Sequence, residues 1–276
     1  MFWLHEEDLP AGVGNERFCA MHLVYIAFFL AATILYGIAY KKLGTRRPGR
    51  KSAGAETSSA LCPARVRADR IAGSLAFFFG LCEYGITALV GRFSLYTLPI
   101  HVCSLMYLFV PLHAWTDRAK AGSAAAKLHE FLGAVIFHPG ILAAWAALLF
   151  PDWLYYPFWN YLSICGFMGH GMVSVYCAGI IVQKSEAQEQ KKLFLLDFAR
   201  SAAFLLSGMA IMYFFDQATG TNYWFMAGPG VGSPLTGPWL RGGYKGYLTA
   251  FIAAGTAVTA LWYGLRWLLF VRRKSK

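Results

Sequence analysis

A carboxylate, three histidines and a thiol stand inside apolar stretches of this chain: Glu83, His101, Cys103, His138 and His170. An ionisable group in hydrocarbon is costly, so each needs a partner or a task. A thiol beside an imidazole supports nucleophilic catalysis. The imidazole takes the thiol proton and helps release the product. Glu83 is placed to fix the orientation of His101 or His170. An oxyanion would be stabilised by donors near the HPG kink at His138, or by Asn222, with Tyr223 beside it in a later loop. The same Glu and His groups suit a second class, a proton- or ion-coupled carrier with a helix broken at HPG. A metal centre built from His101, His138, His170 and Glu83 is a third reading. No HxxxH-type spacing supports it, so neither a metal nor another cofactor is expected.

Every one of these residues also has a packing explanation. Glu83 would serve as a protonated, hydrogen-bonded carboxyl, and the histidines as interhelical bridges. Cys103 would be a small buried hydrophobe, and His138 would fill a proline kink. Asp197 and Arg200, three residues apart, read as a local ion pair.

The elements that must hold these groups are apolar blocks. The chain of 276 residues is 57% hydrophobic and 14% charged, against about 45–50% apolar and about 25% charged for a soluble domain. The excess falls in stretches of about 20 residues, long enough to cross a bilayer as helices. Seven are expected, near 19–40, 71–90, 98–116, 129–150, 159–183, 194–215 and 246–270. The fold class is therefore all-α, a polytopic membrane bundle filling 19–270.

Basic residues fix an orientation for it. Alternate connecting segments carry 19 Lys and Arg on one side of the bundle and four on the other. That asymmetry puts the 1–18 tail outside and the basic 271–276 tail in the cytoplasm of a cell membrane. The net charge of +11 is a topology signal. No single basic face forms, so nucleic acid is not an expected partner. The 41–70 segment, rich in Gly, Ser and Arg, reads as a mobile cytoplasmic loop. The aromatic and Gly/Pro-rich 216–245 segment reads as an outer loop packed over the bundle mouth. Five of the six cysteines fall within spans and no CxxC pair occurs, which argues against a disulfide framework or zinc finger.

Depth brings the polar groups together. At about 1.5 Å per residue, Glu83, His101, Cys103, His138 and His170 fall between the midplane and the outer face, with Asn222 and Tyr223 above them. Within one helix His101 and Cys103 would point about 200° apart. Pro99 is expected to make the entry irregular if both serve one site.

Glu83, then LPIHVC (98–103), HPGILAAWAALLFPD (138–152), His170, TNYWFMAGP (221–229) and GPW (237–239) together resemble the YwaF-like bacterial integral membrane proteins. Those are similar to the animal transmembrane protein 164 family. The likeness covers most of the chain. The animal branch is regarded as a cysteine-dependent acyltransferase that builds ether phospholipids, pairing a membrane-helix cysteine with a histidine in a later span. The resemblance implies His170 as that histidine. At the matching cysteine position this chain has Ile100, and Cys103 lies one turn further in, on the same face if the helix is continuous there. The implied activity is acyl transfer to or from a phospholipid or lysophospholipid through Cys103 and His170, with His101 and Glu83 in the catalytic group and His138, Asn222 and Tyr223 supporting.

Overall fold

The computed structural model describes residues 2–4, 8–10, 12–14, 16–45, 62–117, 120–151, 153, 156–186, 191–230 and 233–271. Among these, regular structure is entirely helical. In order come α1 (Ala20–Thr45), α2 (Pro63–Leu89), α3 (Val102–Trp115), α4 (Ala124–Val135), α5 (Ile141–Leu149), α6 (Tyr161–Glu186), α7 (Lys191–Thr219) and α8 (Thr236–Arg266). A π turn, Ile136–Gly140, joins α4 to α5 as one span. Six of the described helices are long and apolar enough to cross a membrane, and α3, with 14 residues, is a shorter apolar helix. The chain is a multi-pass membrane protein of the all-α class.

Each expected apolar block contains a helix, but the ends differ for local reasons. Pro63 starts α2 at a position where its missing N–H costs nothing. Arg65, Val66 and Asp69 in the first turns of α2 are buried. The connection expected over 41–70 is therefore helical over 41–45 and 63–70, and 46–61 lie outside the described residues, as does the basic tail beyond Val271. The third block was expected from 98, yet α3 begins at Val102. Pro99 restricts Leu98 to extended geometry, and Leu98 has φ −65° and ψ 139°. His101 is the residue that caps α3, with φ −62° and ψ 150°.

At HPG the expected kink takes the form of the π turn. Pro139 has no N–H to give to the preceding turn, and the helix accommodates it with one widened turn that buries Ile136–Gly140 completely.

Most of α6 is buried, and it packs against α1, α2 and α5. Its close neighbours depend on glycine. Lipid offers no hydrophobic drive between helices, so small residues that let helices approach dominate such interfaces. The Tyr107 ring of α3 lies between Gly80 of α2 and Gly169 of α6. A Cβ on Gly169 would come within 2.7 Å of it, and one on Gly80 closer still. By contrast α1, α7 and α8 expose many large apolar side chains, such as Leu35, Leu206 and Leu261, as lipid-facing helices do.

Candidate active site

The glycine-cradled Tyr107 joins two of the expected groups. Its hydroxyl lies 2.8 Å from His170 Nδ1 and donates to Glu83 Oε2 at 3.3 Å. His170 Nδ1 is also 2.7 Å from the Gly166 carbonyl, one turn back along α6. A carbonyl only accepts, so Nδ1 carries the proton. The tautomer follows from this network: Nδ1–H is shared by the Gly166 carbonyl and the Tyr107 oxygen, and the Tyr107 O–H goes on to Glu83. The Nε2 lone pair then remains, and Nε2 is buried with no hydrogen-bond partner among the described residues. His170 is 2% exposed. Trp153 covers its ring, with centroids 5.2 Å apart and planes 22° from parallel. Three helices thus hold an imidazole by one nitrogen and leave the other open.

Cys103 is half-buried in the first turn of α3. It precedes Tyr107 by one turn and shares its helix face. The link expected through Ile100 does not hold. Ile100 and His101 precede the helix, so helical spacing from Ile100 says nothing about Cys103. The Ile100 carbonyl instead accepts from the Trp224 indole at 2.7 Å.

His101 belongs to a different group of contacts. Its Nδ1 accepts from the Trp224 backbone N–H at 3.4 Å, and its ring packs on Tyr223 (4.8 Å) and Phe225 (5.6 Å). Trp224 and Phe225 both sit at positive φ, 54° and 58°, a conformation costing about 1–3 kcal/mol each. Surrounding bonds enforce it: Tyr247 Oη donates to the Phe225 carbonyl at 2.6 Å, and Tyr244 Oη to the Met226 carbonyl at 3.1 Å. The loop expected over 216–245 is helical over 216–219 and 236–245, and its irregular part packs against the entry to α3. Tyr223 Oη accepts from Leu98 N and donates to the Leu95 carbonyl, both at 2.7 Å.

Asn222 spends its amide within this loop. Its Oδ1 accepts from Ala227 N at 2.9 Å and Gly228 N at 3.2 Å, and Nδ2 donates to the Gly228 carbonyl. The geometry makes Asn222 and Tyr223 holders of the loop, in place of the direct oxyanion contact expected of Asn222. Asp216, unremarked in the sequence, anchors the same loop through Tyr223 N (2.8 Å) and Thr221 Oγ1 (2.7 Å).

His138 was expected to support the thiol site and lies elsewhere. It is 1% exposed in the π turn, edge-on to Tyr263 of α8 at 4.9 Å. There it borders a charge network in which Asp197 Oδ2 binds Lys184 at 2.5 Å and Arg266 at 2.7 Å. Asp197 and Arg200 are paired locally as expected, at 3.7 Å. The principal bonds of Asp197 nevertheless run to α6 and α8, where Arg266 is buried with it and Lys184 is half-buried. No group of three or more His, Cys, Asp or Glu suited to a metal ion occurs among the described residues.

Tyr107 and Trp153 are the residues that sequence reasoning missed. Tyr107 had a signal: one turn from Cys103 on α3, with glycines at matching depth on two neighbouring spans. Trp153, in the connection between α5 and α6, had none.

These features define a helical multi-pass membrane protein with a buried Glu–Tyr–His relay beside a thiol-bearing helix. The chain belongs to the TMEM164 family, whose model matches residues 13–263. No curated protein and no solved structure matches it.

Proposed function

We propose that the protein transfers an acyl group to or from a phospholipid within the cell membrane, with Cys103 as nucleophile and His170 as base. One observation carries the reading: His170 is fixed by Nδ1 while Nε2 remains a buried acceptor with no partner among the described residues. A thiol in hydrocarbon is inert without a base, and a held imidazole with one open nitrogen is suited to be one. Glu83 acts through Tyr107, holding the imidazole in one tautomer and offsetting the charge that develops on it. The lipids enter sideways between helices, and the acyl chain passes through a thioester on Cys103.

Purified protein given a phospholipid donor and a lysophospholipid acceptor tests this. His170→Ala is expected to lower transfer about 10²–10⁴-fold. Loss in both Cys103→Ala and Cys103→Ser, with detergent stability intact, fits the nucleophile. Full transfer in Cys103→Ala with none in His101→Ala would reverse the two roles.

A proton- or ion-coupled carrier is the second reading. It draws on the polar residues that continue along α6 beyond His170, through Ser174 and Tyr176 to Gln183. Proton flux into liposomes, abolished by Glu83→Gln in the absence of any transfer, would favour it. In either case we place the N-terminus outside and the C-terminus in the cytoplasm. Labelling of Ser52→Cys by an impermeant reagent from the outside would overturn that orientation.

A further inference from the structure

His170 Nε2 is not the only unsatisfied atom at this place. The indole Nε1 of Trp153, whose ring lies over the imidazole, is also enclosed and has no hydrogen-bond partner among the described residues. A buried N–H or ring nitrogen without a partner is expensive, and most such groups find one. Here two occur on stacked rings, and their senses are opposite. With Nδ1 protonated, Nε2 can only accept, whereas an indole nitrogen can only donate.

The surroundings make the pairing specific. Gly166 provides the bed for the indole: a Cβ there would come within 2.9 Å of its six-membered ring. Phe167 meets the indole edge-on at 5.6 Å. Phe29, Leu148 and Phe158 complete an apolar wall on the α1 and α5 side. Trp153 itself is half-buried, so the wall reaches the surface of the bundle, where a hydrocarbon chain could approach. An acceptor and a donor on stacked rings in an apolar wall match a reacting acyl carbonyl. The acceptor takes the nucleophile's proton and the donor meets the carbonyl oxygen.

We propose that Trp153 is a further catalytic residue, its Nε1–H the oxyanion donor for an acyl ester whose chain lies along this apolar wall. The assignment rests on the acyl-transfer reading of His170. In the step, the thiol sulfur bonds to the carbonyl carbon as its proton passes to His170 Nε2. The carbonyl π pair moves onto oxygen, where the Trp153 N–H binds it. Collapse reforms the carbonyl and breaks the bond to the lipid alcohol, which leaves with the proton from His170. Donors aimed at the developing charge in a water-poor site carry large effects.

Trp153→Phe keeps an aromatic ring on His170 but removes the N–H together with part of the ring system. In full-length protein with the phospholipid and lysophospholipid pair, kcat is expected to fall about 10²-fold or more with KM unchanged. The melting temperature should drop only modestly, as the smaller ring dictates, because the deleted N–H itself was unsatisfied. Wild-type kcat in Trp153→Phe beside an inactive His170→Ala would overturn the role of Trp153 and leave the acyl-transfer reading standing. A fall in kcat accompanied by a large drop in melting temperature, beyond what the smaller ring explains, would make Trp153 a packing residue and overturn it equally. Wild-type kcat in His170→Ala, or no transfer by the native protein, would overturn the reading and this inference together.

Discussion

Two carboxylates on α2, Glu83 and Asp69, are each bonded by tyrosine, yet their surroundings differ in kind. They are separated by 14 residues, about 21 Å along the helix. Asp69 is fully engaged. Oδ1 accepts from Tyr36 at 3.2 Å, and Oδ2 from Tyr40 at 2.6 Å and Gln183 at 3.2 Å. Beside it Arg65 grips Glu186 with two bonds, at 2.6 and 2.9 Å, and lies over the Tyr40 ring. α1, α2 and α6 are clasped there, and neither oxygen of Asp69 is left over. Around Glu83 the chain of bonds runs through Tyr107 to His170 and ends on an open nitrogen. A closed polar network fixes a structure. One that stops short, in a place where leaving an atom unpaired is costly, is poised to receive something. Stability should therefore reside in the Asp69 knot and activity in the Glu83 relay.

The largest expected effect tests that division. Asp69→Ala removes the acceptor from three donors on α1 and α6, at about 1–3 kcal/mol for each buried group left unpaired. Detergent-solubilised protein should lose about 3 kcal/mol or more of stability, visible as early thermal unfolding. Glu83→Gln keeps an oxygen for Tyr107 and should cost no more than about 1 kcal/mol. Its transfer rate should fall all the same, because a neutral amide does not offset a developing imidazolium charge. If Glu83→Gln unfolds first while Asp69→Ala is tolerated, the two regions have been assigned the wrong way round.

The two halves of this contrast were unequally legible in the sequence. The helical character of the seven apolar blocks followed from length and composition, because hydrocarbon leaves the backbone few alternatives to a helix. Depth put Glu83 and His170 at one level, but their linker was not foreseen. A tyrosine in a span reads as packing, and nothing in LMYLF announces a relay. His101 was placed on the third block by starting that block at 98. Pro99 makes the entry irregular, as it was expected to if His101 and Cys103 share a site, and His101 takes the N-cap position. Depth brought His138 toward the site, but depth carries no information about which side of the bundle a residue faces. Asp69 was taken into a mobile loop because the Arg-rich stretch around it looks solvated. Its burial depends on partners 29 residues before it and 114 after it.

A smaller effect probes the room on which the relay depends. Gly169→Ala forces a methyl group toward the Tyr107 ring, 2.7 Å from the new Cβ. Overpacking of this kind costs about 1–3 kcal/mol, and α3 must give way relative to α6. Transfer should fall further than stability alone would dictate, because the shift separates Tyr107 from His170. Gly255→Ala on α8, where nothing lies within 4 Å, is the matched control and should leave both quantities near wild type.

The finest test removes one oxygen. Tyr107→Phe keeps the ring between Gly80 and Gly169 but deletes the hydroxyl that bridges Glu83 and His170. Stability should fall by only about 1–2 kcal/mol, the net value of the lost bonds. His170 Nδ1–H still has the Gly166 carbonyl at 2.7 Å, so the productive tautomer survives. What is lost is the link to the carboxylate and part of the hold on the ring. Transfer should therefore drop roughly tenfold, well short of the loss in His170→Ala, since small errors in placement reduce rate without abolishing it. In a Tyr107→Phe, Glu83→Gln double variant the second change should add little, because with the hydroxyl gone Glu83 no longer reaches the imidazole. Fully multiplicative losses would mean that Glu83 acts on the reaction by another route, and the relay would reduce to a hydrogen bond that packs three helices together.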